Sequence, residues 1–132
     1  MLFRSISSIG GKIGEPHGAW YHATKFAVEG LSDSLRMELK QFGIDVVIIE
    51  PGAIKTEWNR IARENLVKAS GNSAYRNLVS KHVTMLERGD KIGSEPAVIA
   101  KVIAKAINSK KPRTRYAAGG GAKLILDRKS VV

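Results

Sequence analysis

No cysteine occurs among the 132 residues, so a disulfide framework and a thiolate metal site are excluded, and a reducing, cytoplasmic setting is expected. No apolar run approaches the ~20 residues needed to span a bilayer, and no charged-then-apolar leader opens the chain. A membrane role is not expected. Internal repeats and low-complexity linkers are also missing. Acidic residues are scarce, 12 against 22 Lys and Arg, which gives a net charge of +10. Such a balance invites a nucleic-acid reading. The cations, among them Lys40, Arg60, Lys68, Arg76, Lys81 and Lys101, are scattered without a stripe or interleaved aromatics, so no nucleic-acid partner is expected. The His, Asp and Glu residues show no paired ligand spacing, and no metal site is expected.

What is present is ordinary for a globular protein: 43% hydrophobic residues, against disorder, and a length within the range of one domain. The pattern predicts strand, long helix, strand, a helical excursion, helix, strand. Ile6–Ser8 ends a first strand, and a glycine-rich loop runs from Ile9 to Gly18. Ala23, Ala27, Leu31 and Leu35 recur every fourth position in a helix from about Ala19 to Gln41, with Gly43 as its C-cap. Val46-Val47-Ile48-Ile49 is apolar on both faces and reads as a central parallel strand. Pro51-Gly52 breaks it at its carboxyl end, where ligands collect in open α/β sheets. Two amphipathic helices joined by Ser70-Gly71-Asn72 are predicted between Glu57 and Asp90. Another helix follows Ser94-Glu95-Pro96, with Ser94 as cap and Val98, Ile99, Val102 and Ile103 inward. A last strand is expected at Thr114–Ala117.

The chemistry concentrates in Tyr21 and Lys25. Residues i and i+4 share a helix face, so this spacing holds an ammonium beside a phenol. A free phenol titrates near pH ~10, and bringing it to work at neutrality takes about 4 kcal/mol. A fixed cation favours the phenolate, and proton transfer is most efficient when donor and medium are matched. Ser8 is placed to hold a substrate oxygen.

Ser8, Tyr21 thirteen positions later, Lys25, and then Pro51-Gly52-Ala53-Ile54-Lys55-Thr56 resemble the second half of a short-chain dehydrogenase/reductase. The resemblance extends from about Ile6 to Leu126. It implies an α/β fold: the C-terminal half of a Rossmann-type doubly wound parallel sheet, incomplete because the glycine-rich turn that receives the cofactor's pyrophosphate is not found in this sequence. It also implies NAD or NADP as cofactor and a small-molecule alcohol or ketone as substrate. By resemblance Tyr21 passes the proton, Ser8 binds the reacting oxygen, and Lys25 assists Tyr21 and holds the nicotinamide ribose. Pro51, Gly52, Ile54 and Thr56 contact the nicotinamide, with Thr56 also a helix-cap candidate. Glu15, His17 and Trp20 are expected to shape the substrate pocket, and His22 to lie off the Tyr21 face, at the surface or lining the pocket. Residues 57–93 correspond to the family's substrate lid. The end from Pro112 to Gly119 resembles the hydroxysteroid-dehydrogenase-like subgroup. A homodimer or homotetramer is implied, formed through the Tyr21 helix.

Related epimerases and dehydratases share the tyrosine and lysine, and a non-catalytic NAD(P)-binding protein could keep the fold; the Pro51-Gly52 turn with Thr56 favours the oxidoreductase. Leu2-Phe3-Arg4-Ser5 and Asp127-Arg128-Lys129-Ser130 can be encoded by nearly reverse-complementary strings that match a sequencing-library adapter. Residues 1–5 and 127–132 are therefore expected to be artefactual and are left out of the fold reasoning, with 6–126 as the native part; the codons at those positions decide it. Without a nucleotide-binding half, the 132-residue chain alone is expected to show no turnover and, with unpaired sheet edges, poor solubility.

Overall fold

The computed structural model describes residues 2–127. Three parallel strands, β1 (Leu2–Ile6), β2 (Asp45–Pro51) and β3 (Arg115–Ala118), form an open sheet in the order β1-β2-β3. Helices α1 (Ala19–Leu39), α2 (Trp58–Ser70), α3 (Arg76–Ile92), α4 (Ala97–Asn108) and α5 (Ala122–Asp127) surround it. This is the partial Rossmann-like α/β architecture that the family resemblance implied.

β2 is the central strand because both of its faces are apolar. Val46, Val47, Ile48 and Ile49 are at most 2% exposed. Val47 and Ile49 pack on Ala106, Ile99, Val102 and Ile103 of α4 and on Tyr116. Val98, expected on that inner face, lies at its exposed edge. Ser94 does not cap α4: it is drawn into a bridge with Ile54, and Pro96 stands at the cap instead. The C-terminal glycine of α1 behaves as predicted in kind. Gly43 takes φ 65° after a 3-10 turn at Lys40–Phe42, a left-handed conformation that glycine adopts at low cost.

The long helix does not turn its regular apolar repeat to the sheet. Ala23, Ala27 and Leu31 point outward, with Leu31 62% exposed. The face turned to the sheet carries His22, Lys25, Glu29, Ser32 and Arg36, spaced three and four apart. Polar groups can be buried there because nearly all of them find partners. Ser32 donates to Ser5 Oγ at 3.1 Å, and Arg36 Nε donates to the Val46 carbonyl at 3.0 Å. Residues 2–5, set aside in the sequence reading, pair in register with Asp45–Ile48 as the body of β1. Ladder bonds use backbone groups and ask little of side-chain identity, so these positions belong in the fold whatever codons encode them. Of the rest of the adapter reading, Asp127 ends α5, and Met1 and Arg128 to Val132 lie outside the described residues.

Candidate active site

The carboxyl ends of β1 and β2 and the turn after β3 converge on a cavity of about 450 Å³, closed on its far side by α2 and α3. β1 delivers Ser7 and Ser8. Ser7 N–H continues the ladder to the Ile49 carbonyl at 2.8 Å. Ser8 then caps a short 3-10 turn over Ile9–Gly11, its Oγ accepting the Gly10 N–H at 3.0 Å. That bond occupies a lone pair and leaves the hydroxyl proton free to donate. Tyr21, in the first turn of α1, opens into the same cavity, its ring 5.4 Å from that of Trp58 and 5.5 Å from that of His22.

Lys25 follows one turn later. Its Nζ lies 5.9 Å from the Tyr21 ring centroid and donates to the Ile6 carbonyl at 3.1 Å. The last carbonyl of β1 thus anchors the ammonium over the Tyr21 ring, while Lys25 itself does not line the cavity. Pro51, Gly52, Ile54 and Thr56 also line the cavity, and Thr56 Oγ1 accepts the Trp58 N–H at 3.3 Å at the start of α2. The approach of the two turns at this rim is close: a Cβ on Gly120 would lie 2.1 Å from the Ile92 carbonyl oxygen, and one on Gly52 2.5 Å from that of Gly120.

Of the three residues expected to shape the substrate pocket, Glu15 lines the cavity and the other two do not. Trp20 is 87% exposed, since its position in the first turn of α1 faces solvent. His17 turns away to the rings of His82 and Tyr75. His22, by contrast, is no surface residue. It is 8% exposed and lines the cavity while clamping the preceding loop: its Nδ1 lies 2.8 Å from the Gly10 carbonyl oxygen, and its Nε2 accepts the Glu15 N–H at 3.0 Å. The Nε2 acceptor role fixes the proton on Nδ1. Residues 57–93 were expected to form a substrate lid, but sequence reasoning did not name the members that wall the cavity, Trp58, Met85, Leu86 and Ile92. Their helical spacing was legible, but nothing in a single sequence states which face of a lid turns inward. α2 and α3 are tied by Asn59, which donates to Asp90 at 2.6 Å, and by the Arg63–Asp90 ion pair. Those bonds hold the Asp90 carboxyl below its ordinary pKa, that from Arg63 foremost.

Behind the site, charges cross the α1 face of the sheet. Glu29 meets Lys12 at 3.1 Å and Arg115 at 3.0 Å, and Arg115 also holds Asp33 at 2.7 Å. Burial pushes the Asp33 carboxyl up, but hydrogen bonds from Arg36 and Arg115 outweigh it and leave the pKa lowered. Burial likewise opposes the charged form of Arg115, and its bonds to Asp33 and Glu29 reverse the sign and raise it. Glu50 is pushed up by burial and then by the charge of Glu29, with Arg115 and Lys12 opposing.

A family profile described as short chain dehydrogenase matches residues 5–66. An uncharacterized oxidoreductase of Bacillus subtilis, YusZ, is 33% identical over 92% of this chain and 44% of its own length. A 3-ketodihydrosphingosine reductase of Bacteroides thetaiotaomicron is 33% identical over 87% of the chain and 42% of that protein. Among solved structures, a short-chain dehydrogenase from Streptomyces avermitilis superposes with a TM-score of 0.74 at 32% identity, covering 96% of this chain and 45% of that one. The chain spans less than half the length of the relatives it matches. Their names do not single out the hydroxysteroid-dehydrogenase-like subgroup.

Proposed function

From the chain's membership of the short-chain dehydrogenase/reductase family, to which it belongs, we propose that the whole protein interconverts an alcohol and a carbonyl with NAD or NADP. The observation that carries the reading is the cavity at the strand ends, into which Ser8, Tyr21 and the Pro51-to-Thr56 turn all open. These residues fit the nicotinamide end of such a cofactor. The turn offers a closely packed rim, and Lys25 presents an anchored cation one helical turn from the phenol. Bound there, the nicotinamide supplies or accepts the hydride.

The chain's own residues manage the oxygen and its proton. Ser8 donates its free hydroxyl proton to the substrate oxygen, and Tyr21 gives a proton to the developing alkoxide or takes it in the reverse direction. Lys25, held by Ile6, stabilises the charge left on the phenol. Trp58 and the lid helices exclude water. Tyr21→Phe in the full-length protein should lower kcat for ketone reduction by about 10²–10⁴-fold, with cofactor affinity retained; full activity in that variant would overturn the assignment. The 132-residue chain alone should not oxidise NAD(P)H with any ketone.

The outward face of α1, with Trp20, Phe26, Leu31 and Met37 exposed, supports a homodimer or homotetramer formed through that helix. Among the described residues no helix is long and apolar enough to cross a membrane. A cytoplasmic location is our reading from the absence of cysteine.

A further inference from the structure

The chain has three histidines, and two of them meet across 65 positions. His17 Nδ1 and His82 Nδ1 are 3.2 Å apart, with the rings stacked at 5.4 Å and 16°. The third, His22, has both ring nitrogens engaged in the loop. On the opposite edge of the His82 ring, Nε2 faces Glu15 Oε2 at 3.8 Å. A carboxylate there favours the tautomer protonated on Nε2 and leaves the Nδ1 lone pair aimed at His17.

We propose that His17 and His82 form a two-imidazole site for a first-row transition cation such as Zn²⁺, with Glu15 orienting His82 from behind. Two nitrogens each ~2.0–2.1 Å from a tetrahedral ion lie about 3.3–3.4 Å from one another, and the observed separation is within a few tenths of an ångström of that. Imidazole nitrogens suit zinc, copper and nickel rather than magnesium or calcium. Among the described residues no group of three or more ligating side chains converges, so water completes the coordination. The Nδ1–H that His17 donates in the metal-free protein is replaced by one on Nε2 when the ion binds, so the ligand stays a neutral imidazole with its Nδ1 lone pair on the ion.

His17 also holds φ 62°, a left-handed conformation that is unfavourable for a non-glycine residue. Its ring is directed to His82 and to the edge of Tyr75, 6.2 Å away. His17 belongs to the loop that enters the Tyr21 helix, and His82 sits in the middle of the lid helix α3. An ion between them staples the lid to the active-site loop beside Glu15, which lines the cavity.

The test is titration of Zn²⁺ into the untagged full-length protein, its His17→Gln and His82→Gln variants, and Glu15→Gln. The wild type should show one site that either histidine variant weakens at least tenfold and that does not take Mg²⁺. Glu15→Gln should keep the stoichiometry and lose about 10-fold or more in affinity. Zn²⁺ should also slow amide exchange in residues 12–18 and 76–92 of the wild type alone. His17 is exposed, so His17→Gln leaves the fold intact, as circular dichroism will verify. Equal zinc binding by the wild type and His17→Gln, or none by the wild type, overturns the site. The result is independent of whether Tyr21 catalyses a reaction.

Discussion

Glu29 of α1 and Glu50 of β2, 4% and 3% exposed, face one another with the Arg115 guanidinium between them, 3.0 Å from the first and 3.5 Å from the second. Both carboxylates are almost wholly buried. Arg115, the cation that β3 supplies, is the one charge among the described residues in contact with both, while Lys12 also pairs with Glu29 at 3.1 Å.

Arg115→Met should accordingly cost more than the loss of one surface ion pair. It leaves two buried carboxylates and Asp33 short of a partner, a change worth about 3–5 kcal/mol when a buried pair loses one member. Urea unfolding of the full-length protein measures it. A loss below 1 kcal/mol, the scale of exposed pairs, would show that the network is solvated.

Glu50 gives the pH dependence its sign. Its folded pKa is raised, by burial first, so the native state takes up this proton before the unfolded chain does. Its contribution improves as pH falls from neutrality through that raised value, and levels off below the ordinary carboxylate range. Asp33 runs oppositely: its lowered pKa stabilises above the ordinary value, and that stability is lost as pH falls through the folded one. Glu50→Gln should be more stable than wild type at pH 7, with the difference shrinking toward pH 5. Unfolding midpoints at both pH values check it; a difference that grows on acidification contradicts the assignment.

His22 acts on the site through the loop. Replacing it with phenylalanine removes the bond to the Gly10 carbonyl and orphans the Glu15 N–H, each worth roughly 1–3 kcal/mol when left unsatisfied in the interior. Lower stability should come with a fall in kcat larger than the change in cofactor KM, because Ser8 is held through Gly10. An unchanged kcat at reduced stability would confine His22 to the fold.

Gly120→Ala should open the rim. No side chain fits 2.1 Å from the Ile92 carbonyl oxygen, so the turn after β3 must move away from Ala53 and the end of α3. Overpacking of this kind costs about 1–3 kcal/mol, and the Tm should fall in proportion.

The sequence alone determined that Tyr21 and Lys25 share a helix face, which strand is central and the breaks that end it. These depend on spacing along one element: i and i+4 for Tyr21 and Lys25, an unbroken apolar run for Val46–Ile49, and Pro51-Gly52 at its end. It could not tell which side of α1 faces the sheet. Periodicity ranks faces by apolarity, whereas here the buried stripe is His22, Lys25, Glu29, Ser32 and Arg36, made tolerable by Arg115, Lys12, Ser5 and backbone carbonyls from distant segments. The meeting of His17 with His82, and the place of Trp20 outside the cavity, were likewise decided only by tertiary structure. A partner 65 residues away leaves no local spacing to read. The physical reason is common to all three: burying a polar group depends on what it meets, and what it meets is a property of the folded chain.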